Sequence, residues 1–438
     1  MFALRIAGWA LVAVVAGCSS VSEENAERNG DPGGGVASAG GNALPVEQLG
    51  AKRPISDDPT SAPDTLFENT IFDATKNLAV WLPPGREVRG LLLLNGTPNA
   101  PNVDDIKQGK KWRGEQAQDV QLAARQLASL WDFGLVTGTT WTDENRSRFD
   151  DQVKLFEDAL SAFEAKTGQR GLASLPVAIQ GGSRFAGFGP TYAQKRPERV
   201  IAYVVEVAGT PVPTAASKGI PGLMIPGSSD GGAEKVTSGF YPARTAGASL
   251  AVAMNWRTGH ECASCRDIAW PFFDHVIRAR MREKGAPLAP PDEGAAWFGN
   301  TETWTFVQSA TNYAGDRARA SWLPDHFIAN VWRNYTLEKP SAAFTSPTQP
   351  YKWGGGFAQK PSAARASDVF TLTATLTDAP TGDLTFYDGD VRLGVAERSA
   401  DGKSASLANI RLVQGLHSFL VMSDTRPLSR PAGMLVLP

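Results

Sequence analysis

Between residue 88 and about residue 285, short runs that are apolar at nearly every position alternate with longer amphipathic stretches. The runs are "VRGLLLLNGTPN", "GLVTGTTW", "LPVAIQGG", "RVIAYVVEVAG", "GIPGLMIPGSSD" and "GASLAVAMNW". A strand exposes successive side chains on opposite faces, so a run such as Leu91 to Leu94 needs apolar cover on both sides. Between the runs, "EQAQDVQLAARQLASLWDFG" has helical spacing, with Val120, Leu122, Leu127 and Leu130 on or near one face. "RFDDQVKLFEDALSAFEAKTG" is a second helix, stopped by Gly168; a third runs through Gln194, and "IAWPFFDHVIRARMREKG" is a fourth. Strand and helix in alternation predict an α/β fold, a doubly wound and mostly parallel sheet. Ahead of it, "TIFDATKNLAVWLPPG" alternates like an antiparallel pair of strands.

A chain of 438 residues exceeds one ordinary core, so more than one domain is expected. Lys and Arg total 43 against 45 Asp and Glu, a balance that argues against nucleic acid as a partner. The amino terminus, "MFALRIAGWALVAVVAGCSS", has one early Arg, a short apolar stretch and the small-residue site Val15-Ala16-Gly17-Cys18. The apolar stretch is too short for a stable transmembrane helix and has the wrong flanks. The site resembles the lipobox of bacterial lipoprotein signal peptides. That resemblance implies lipidation of Cys18, a membrane anchor and, with Ser19 in place of Asp, the outer membrane. A plain secretory peptide is the alternative. Residues 19–62 are rich in Gly, Ser, Pro and acidic side chains and are expected to form a flexible tether.

Beyond residue 285 the pattern changes. Residues 286–346 are rich in Trp and Pro, contain a helix in "PDHFIANVWRNYT", and are expected to bridge onto the α/β body. From residue 347 to 438 the period becomes two: in "DVFTLTATLTD", Phe370, Leu372, Ala374 and Leu376 alternate with threonines. "LTFYDGDVRLGV" is expected to be a hairpin turned on Asp388-Gly389. "GDLTFYDGDVRLG" resembles the immunoglobulin-like repeats of bacterial surface proteins. The resemblance implies a small all-β sandwich, a spacer or a binder of surfaces or polysaccharide, without catalytic residues.

Within the α/β region, Gly181-Gly182-Ser183-Arg184-Phe185 follows one strand, Asp230 follows "GLMIPGSS", and His260 follows "NWRTG". Strand positions and the order Ser, Asp, His resemble those of the α/β-hydrolase family over roughly residues 65 to 285. The resemblance implies Ser183 as nucleophile, His260 as general base and Asp230 as the acid that orients it. A serine hydroxyl needs such a base at neutral pH, and imidazole titrates in the right range. The family's oxyanion hole implies the amide of Arg184 and that of Gly96 or Thr97. Phe185 departs from the pattern, which has a small residue there, so the helix is expected to sit farther from the strand.

Other roles stay open for these residues. Ser183 could cap the following helix, and Asp230 could be a turn residue before Gly231-Gly232. Glu206 is a rival acid, expected to lie inside its strand and point into packing. "GSR" also resembles the serine motif of glucuronoyl esterases, and Arg184 beside the nucleophile would suit carboxylate-bearing esters. Cys262-Ala-Ser-Cys265 is expected to be a disulfide in an exported protein, with a thioredoxin-like dithiol as its rival. No metal and no cofactor are called for. The expected function is an exported, lipid-anchored serine hydrolase of carboxylic esters. A non-catalytic surface-binding lipoprotein and a periplasmic dithiol protein are the alternatives. No candidate lies beyond residue 347, so turnover is expected to survive without the tail.

Overall fold

The computed structural model describes residues 70–73, 78–95, 124–140, 148–261, 264–283, 285–346, 364–377, 380–424 and 426–437. Cys18, the tether, Gly96, Thr97 and Cys262 lie outside them.

The apolar runs form one eight-stranded sheet: β1 (Thr70–Asp73), β2 (Leu78–Trp81), β3 (Gly90–Asn95), β4 (Phe133–Gly138), β5 (Val177–Gly182), β6 (Val200–Glu206), β7 (Gly222–Ile225) and β8 (Leu250–Val252). Its order is β1-β2-β4-β3-β5-β6-β7-β8. β1 pairs antiparallel with β2, and β2 with β4; every later pair is parallel. The leucines of β3 explain the run. Leu92 and Leu94 face one core, and Leu91 and Leu93 the other.

On one face lie α1 (Phe149–Thr167), α2 (Phe188–Lys195) and a helical stretch over 232–245, packing Phe156, Phe163, Tyr192 and Phe240 on the sheet. Gly168, at φ 70°, ends α1 in the left-handed conformation expected of a closing glycine. On the other face lie the helical residues 124–130, α3 (Arg266–Arg280) and α4 (His326–Tyr335), which bring Leu127, Phe272, Phe273 and Trp332. The helical residues 124–130 that lead into β4 therefore lie on one face, and α2, which follows β5, on the other. Adjacent strands whose exits diverge leave a crevice at their carboxyl ends, where ligands bind in open α/β sheets.

The region 286–346 contains the expected helix, α4, and also a small antiparallel sheet of β9 (Trp297–Asn300), β10 (Val307–Ser309) and β11 (Ala320–Leu323). Ser321 Oγ accepts from Val252 N at 3.0 Å and donates to Val252 O at 2.9 Å, so β11 covers the free edge of β8.

Two further sheets follow. One has the order β12 (Ala342–Ser346), β14 (Phe370–Leu376), β18 (Ser404–Ile410), β17 (Glu397–Arg398). The other runs β13 (Ala364–Arg365), β21 (Ala432–Leu437), β19 (Gly415–Ser423), β15 (Leu384–Asp388), β16 (Val391–Val395), with β20 (Arg426–Pro427) on β19. All their pairs are antiparallel except β13 with β21. Leu372, Ala374 and Leu376 of β14 share one core with Phe386, Phe419 and Val421 across it, the arrangement of a β-sandwich. β12 begins at Ala342, ahead of the expected change near residue 347. The hairpin turns on Gly389-Asp390, not on Asp388-Gly389: Asp388 is the last residue of β15 and pairs with Val391. Asp388 stays in the strand because its carboxylate takes Ser418 N at 2.7 Å and His417 Nδ1 at 2.6 Å.

Candidate active site

Ser183 stands at the carboxyl end of β5, in the crevice. Its φ of 54° is left-handed, a conformation that costs a non-glycine residue roughly 1–2 kcal/mol and must be imposed by its surroundings. One 3-10 turn, Ser183–Phe185, leads toward α2. Gly181 makes this turn possible: a Cβ there would lie 2.6 Å from the carbonyl oxygen of Phe185. Gly182 is ordinary extended backbone, φ −114° and ψ 148°, and a Cβ on it would come no nearer than 3.5 Å to Glu206 Oε2. Only the first of the two glycines is required by space. Phe185 does not hold the turn off the strand as expected, because its backbone makes the approach and buried Ala186 faces the core. Buried Asn95, the last residue of β3, fixes that carbonyl. Its Nδ2 donates to Phe185 O at 3.2 Å and to Thr140 Oγ1 at 3.1 Å, and its Oδ1 accepts from Thr140 N at 3.0 Å.

Asp230 and His260 are carried by two loops zipped together. Ser228 N donates to Asn255 O at 3.0 Å, Ser229 N to Thr258 O at 2.9 Å, and Arg257 N to Ser228 Oγ at 2.8 Å. Gly227 admits the contact, since a Cβ on it would fall inside the radius of the Gly259 carbonyl oxygen. Arg257, like Ser183 and Val207, has a positive φ, so three strained non-glycine residues gather where β5, β6 and β8 end.

The three expected residues come together. His260 Nδ1 lies 2.8 Å from Asp230 Oδ2, and His260 Nε2 lies 2.7 Å from Ser183 Oγ. An ionised carboxylate only accepts, so Nδ1 carries the proton, and neutral Nε2 accepts the Ser183 hydroxyl. Ser183 is not a helix cap: Gly182 holds that position for the turn and Gly187 for α2. All four histidines lie beside an aspartate: His260 with Asp230, His275 with Asp325, His326 with Asp390, and His417 with Asp388. A His–Asp pair is therefore no mark of the site in this chain. The serine hydroxyl on the second nitrogen is the distinguishing feature. His260 remains exposed, so a substrate can reach it.

Sequence reasoning missed Lys235. Its ammonium donates to Asp230 Oδ2 and Asp230 O at 2.5 Å each, and to Val207 O at 3.3 Å. The Lys235 bond, and after it the His260 bond, hold the Asp230 carboxyl below its usual range. Five positions of irregular turn and helix start separate the two residues, and no spacing rule would have paired them.

Glu206 lies in its strand and is buried as expected, but as the last residue of β6, in register with Gly182, and not in mid-strand. Its carboxylate takes Gln180 Nε2 at 2.7 Å, and Trp270 Nε1 in turn donates to Gln180 Oε1 at 3.3 Å. Burial pushes its pKa up, against the field of Arg266 and the Gln180 bond. It packs beneath the turn and its partner is Gln180, while Asp230 takes His260.

Arg184 is exposed, with its guanidinium carbon 5.5 Å from the centre of the Phe185 ring. Gly96 and Thr97, the other expected oxyanion donors, lie outside the described residues. Cys265 is buried and disulfide-bonded, immediately ahead of α3, and its expected partner Cys262 lies outside the described residues. Among the described residues, no cluster of three or more His, Cys, Asp or Glu side chains could hold a metal ion. An open groove of about 710 Å³ along α2, lined by Phe149, Gly187, Thr191, Lys195 and Pro211 among others, includes none of Ser183, Asp230 or His260.

No family model matches the chain. No curated protein matches it either. Among solved structures, it is similar to a phospholipase/carboxylesterase from Dyadobacter fermentans, at 11% identity and TM-score 0.32, covering 47% of this chain and 99% of that one. A dienelactone hydrolase from Anabaena variabilis is similar at 15% identity and TM-score 0.31, over 46% of this chain and 90% of that one. A carboxylesterase from Mesorhizobium loti is similar at 14% identity and TM-score 0.30, over 48% and 97%. Likeness at this level carries no argument about the reaction, which rests on the strand order and the side chains at the crevice.

Proposed function

We propose that this chain is an exported, lipid-anchored serine hydrolase that cleaves carboxylic esters through an acyl-enzyme. The observation that carries the reading is His260, bonded through Nδ1 to Asp230 and through Nε2 to Ser183 Oγ at the carboxyl edge of the sheet. Ser183 Oγ attacks the ester carbonyl as His260 Nε2 takes its proton. Asp230 keeps the imidazole in the tautomer that can do so and stabilises the imidazolium that forms. The family resemblance assigns stabilisation of the negative tetrahedral oxygen to the Arg184 amide and to that of Gly96 or Thr97. Collapse expels the alcohol, which takes the proton from His260. Water, deprotonated by the same imidazole, then attacks the acyl-serine, and collapse breaks the acyl–Oγ bond and releases the acid as the His260 imidazolium returns the proton to Ser183 Oγ.

Esters are chosen over amides on the family resemblance of the sequence. Export and anchoring rest on Val15-Ala16-Gly17-Cys18, with Cys18 as the lipidated residue. Buried, disulfide-bonded Cys265 gives no support to a cycling dithiol.

The test is hydrolysis of a short-chain aryl ester by the full chain. Ser183→Ala and His260→Ala should each lower kcat on the order of 10⁴-fold or more, and the double variant no further. Ester turnover by Ser183→Ala at the level of the unaltered chain would refute the reading.

A further inference from the structure

The loop that carries His260 is gripped from outside the α/β body. Trp256 Nε1 donates to Thr336 O at 2.7 Å, and its ring meets Trp304 edge-on with centroids 5.8 Å apart. A second grip comes from the β-sandwich. Arg430, in the link between β20 and β21, donates from Nη2 to Trp256 O at 3.2 Å and from Nη1 to Asn255 Oδ1 at 3.5 Å. Its Nε and Nη2 also reach Leu337 O, each at 3.4 Å. Past the histidine, Asp267 near the start of α3 lies against Gly433 of β21, where an added Cβ would stand 3.3 Å from Asp267 Oδ1. The sandwich thus meets the chain before His260, at Asn255 and Trp256, and after it, at Asp267.

We propose that Arg430 is a positioning residue for His260, which makes the sandwich part of the active site. This rests on the triad reading above and departs from the expectation that residues before 347 suffice. The physical case is one of tolerance. The Ser183–His260 bond joins side chains on loops that leave different strands, so their separation depends on how firmly each loop is held. The Ser183 turn is fixed by Gly181, Asn95 and the sheet. The His260 loop bears a strained residue, Arg257 at φ 61°, and ends beside an exposed imidazole. A planar guanidinium with five fixed donors can clamp two carbonyls and an amide oxygen at once, which a lysine ammonium on a flexible stem does less well. A displacement of about 1 Å at a reacting group can cost roughly 10²-fold in rate.

The experiment compares Arg430→Met, Arg430→Lys and Arg333→Met in the full chain. Arg333, on α4, reaches Met422 Sδ of the sandwich at 3.1 Å and Asn330 Oδ1 at 3.1 Å, and among the described residues has no hydrogen bond to the His260 loop, so it reports docking. Arg430→Met should lower kcat for a small aryl ester by about 10- to 100-fold with KM within about twofold. It should also slow phosphonate labelling of Ser183 in proportion. Arg430→Lys, the more conservative replacement, should regain part of both and covers the case in which the methionine variant does not fold. Arg333→Met should leave both near the unaltered level. An independent reading is the downfield proton resonance of the His260 Nδ1–H bonded to Asp230, expected to broaden or vanish in Arg430→Met and persist in Arg333→Met. Equal kcat, or an equal resonance, in Arg430→Met overturns the proposal, as does equal loss in Arg333→Met. No labelling of the unaltered chain would instead overturn the triad reading, and the resonance would still decide the role of Arg430.

Discussion

The carbonyl oxygen of Phe185 lies 2.6 Å from the point where a Cβ on Gly181 would stand, so the turn that lifts Ser183 out of the sheet is built on one missing methyl group. Gly181→Ala should push that backbone apart, costing about 1–3 kcal/mol of stability and lowering turnover well beyond what the stability loss explains. Gly182→Ala, in extended backbone with room for the methyl, should stay within about 0.5 kcal/mol. Denaturant midpoints and kcat of the two variants check the contrast. Equal tolerance at both positions would contradict this geometry.

Lys235 and His260 share one oxygen of Asp230. Because the folded-state pKa of Asp230 is depressed, its contribution to stability is present above the ordinary carboxylate value near 4 and is lost as pH falls through the depressed one. Lys235→Met removes the larger cause. The stability difference between pH 6 and pH 3 should therefore shrink, and kcat should fall by about tenfold as the carboxylate loses its fixed orientation. Denaturation at the two pH values, with ester kinetics at pH 7, gives the answer. A variant with unchanged acid sensitivity and unchanged kcat would leave Lys235 without the role described.

His417 is buried in the sandwich with both ring nitrogens facing acceptors, Asp388 Oδ2 at 2.6 Å and Val413 O at 2.9 Å. Two acceptors require two protons, hence an imidazolium. Burial pulls its pKa down, but the Asp388 charge and bond, with the Val413 carbonyl, outweigh it and the net direction is up. A raised folded-state pKa means stability that is full below the ordinary histidine value near 6.5 and lost as pH rises through the raised one. His275 against Asp325 carries the same sign, so the variant His417→Gln isolates one of the two. The fall in Tm from pH 6 to pH 9 should be smaller in His417→Gln than in the unaltered chain. Identical falls would contradict the charged pair.

The sheet and the three residues at its edge were legible in the sequence for different reasons. Leu91 to Leu94 announce a strand covered on both faces by themselves, and Ser183, Asp230 and His260 are found by their order after strands. What escaped is tertiary. Lys235 reaches Asp230 and Val207 only once a helical turn brings it back over the loop. Asn95 meets Phe185 only because β3 and β5 are neighbours. Arg430 lies far along the chain, in a part assigned no role in the site. Glu206 packs inward as its strand position implied, but the apolar "VEVAG" conceals that β6 stops at it. Strands β9 to β11, only three or four residues each, are too short for a period of two to register.

The central claim is that Ser183 is a nucleophile activated by His260. The most direct measurement is the site of covalent modification after the full chain reacts with a fluorophosphonate, located by peptide mass spectrometry. One adduct is predicted, on Ser183, absent from Ser183→Ala and formed orders of magnitude more slowly in His260→Ala. An unmodified Ser183 in the unaltered chain, or an adduct formed as fast without His260, would contradict the account.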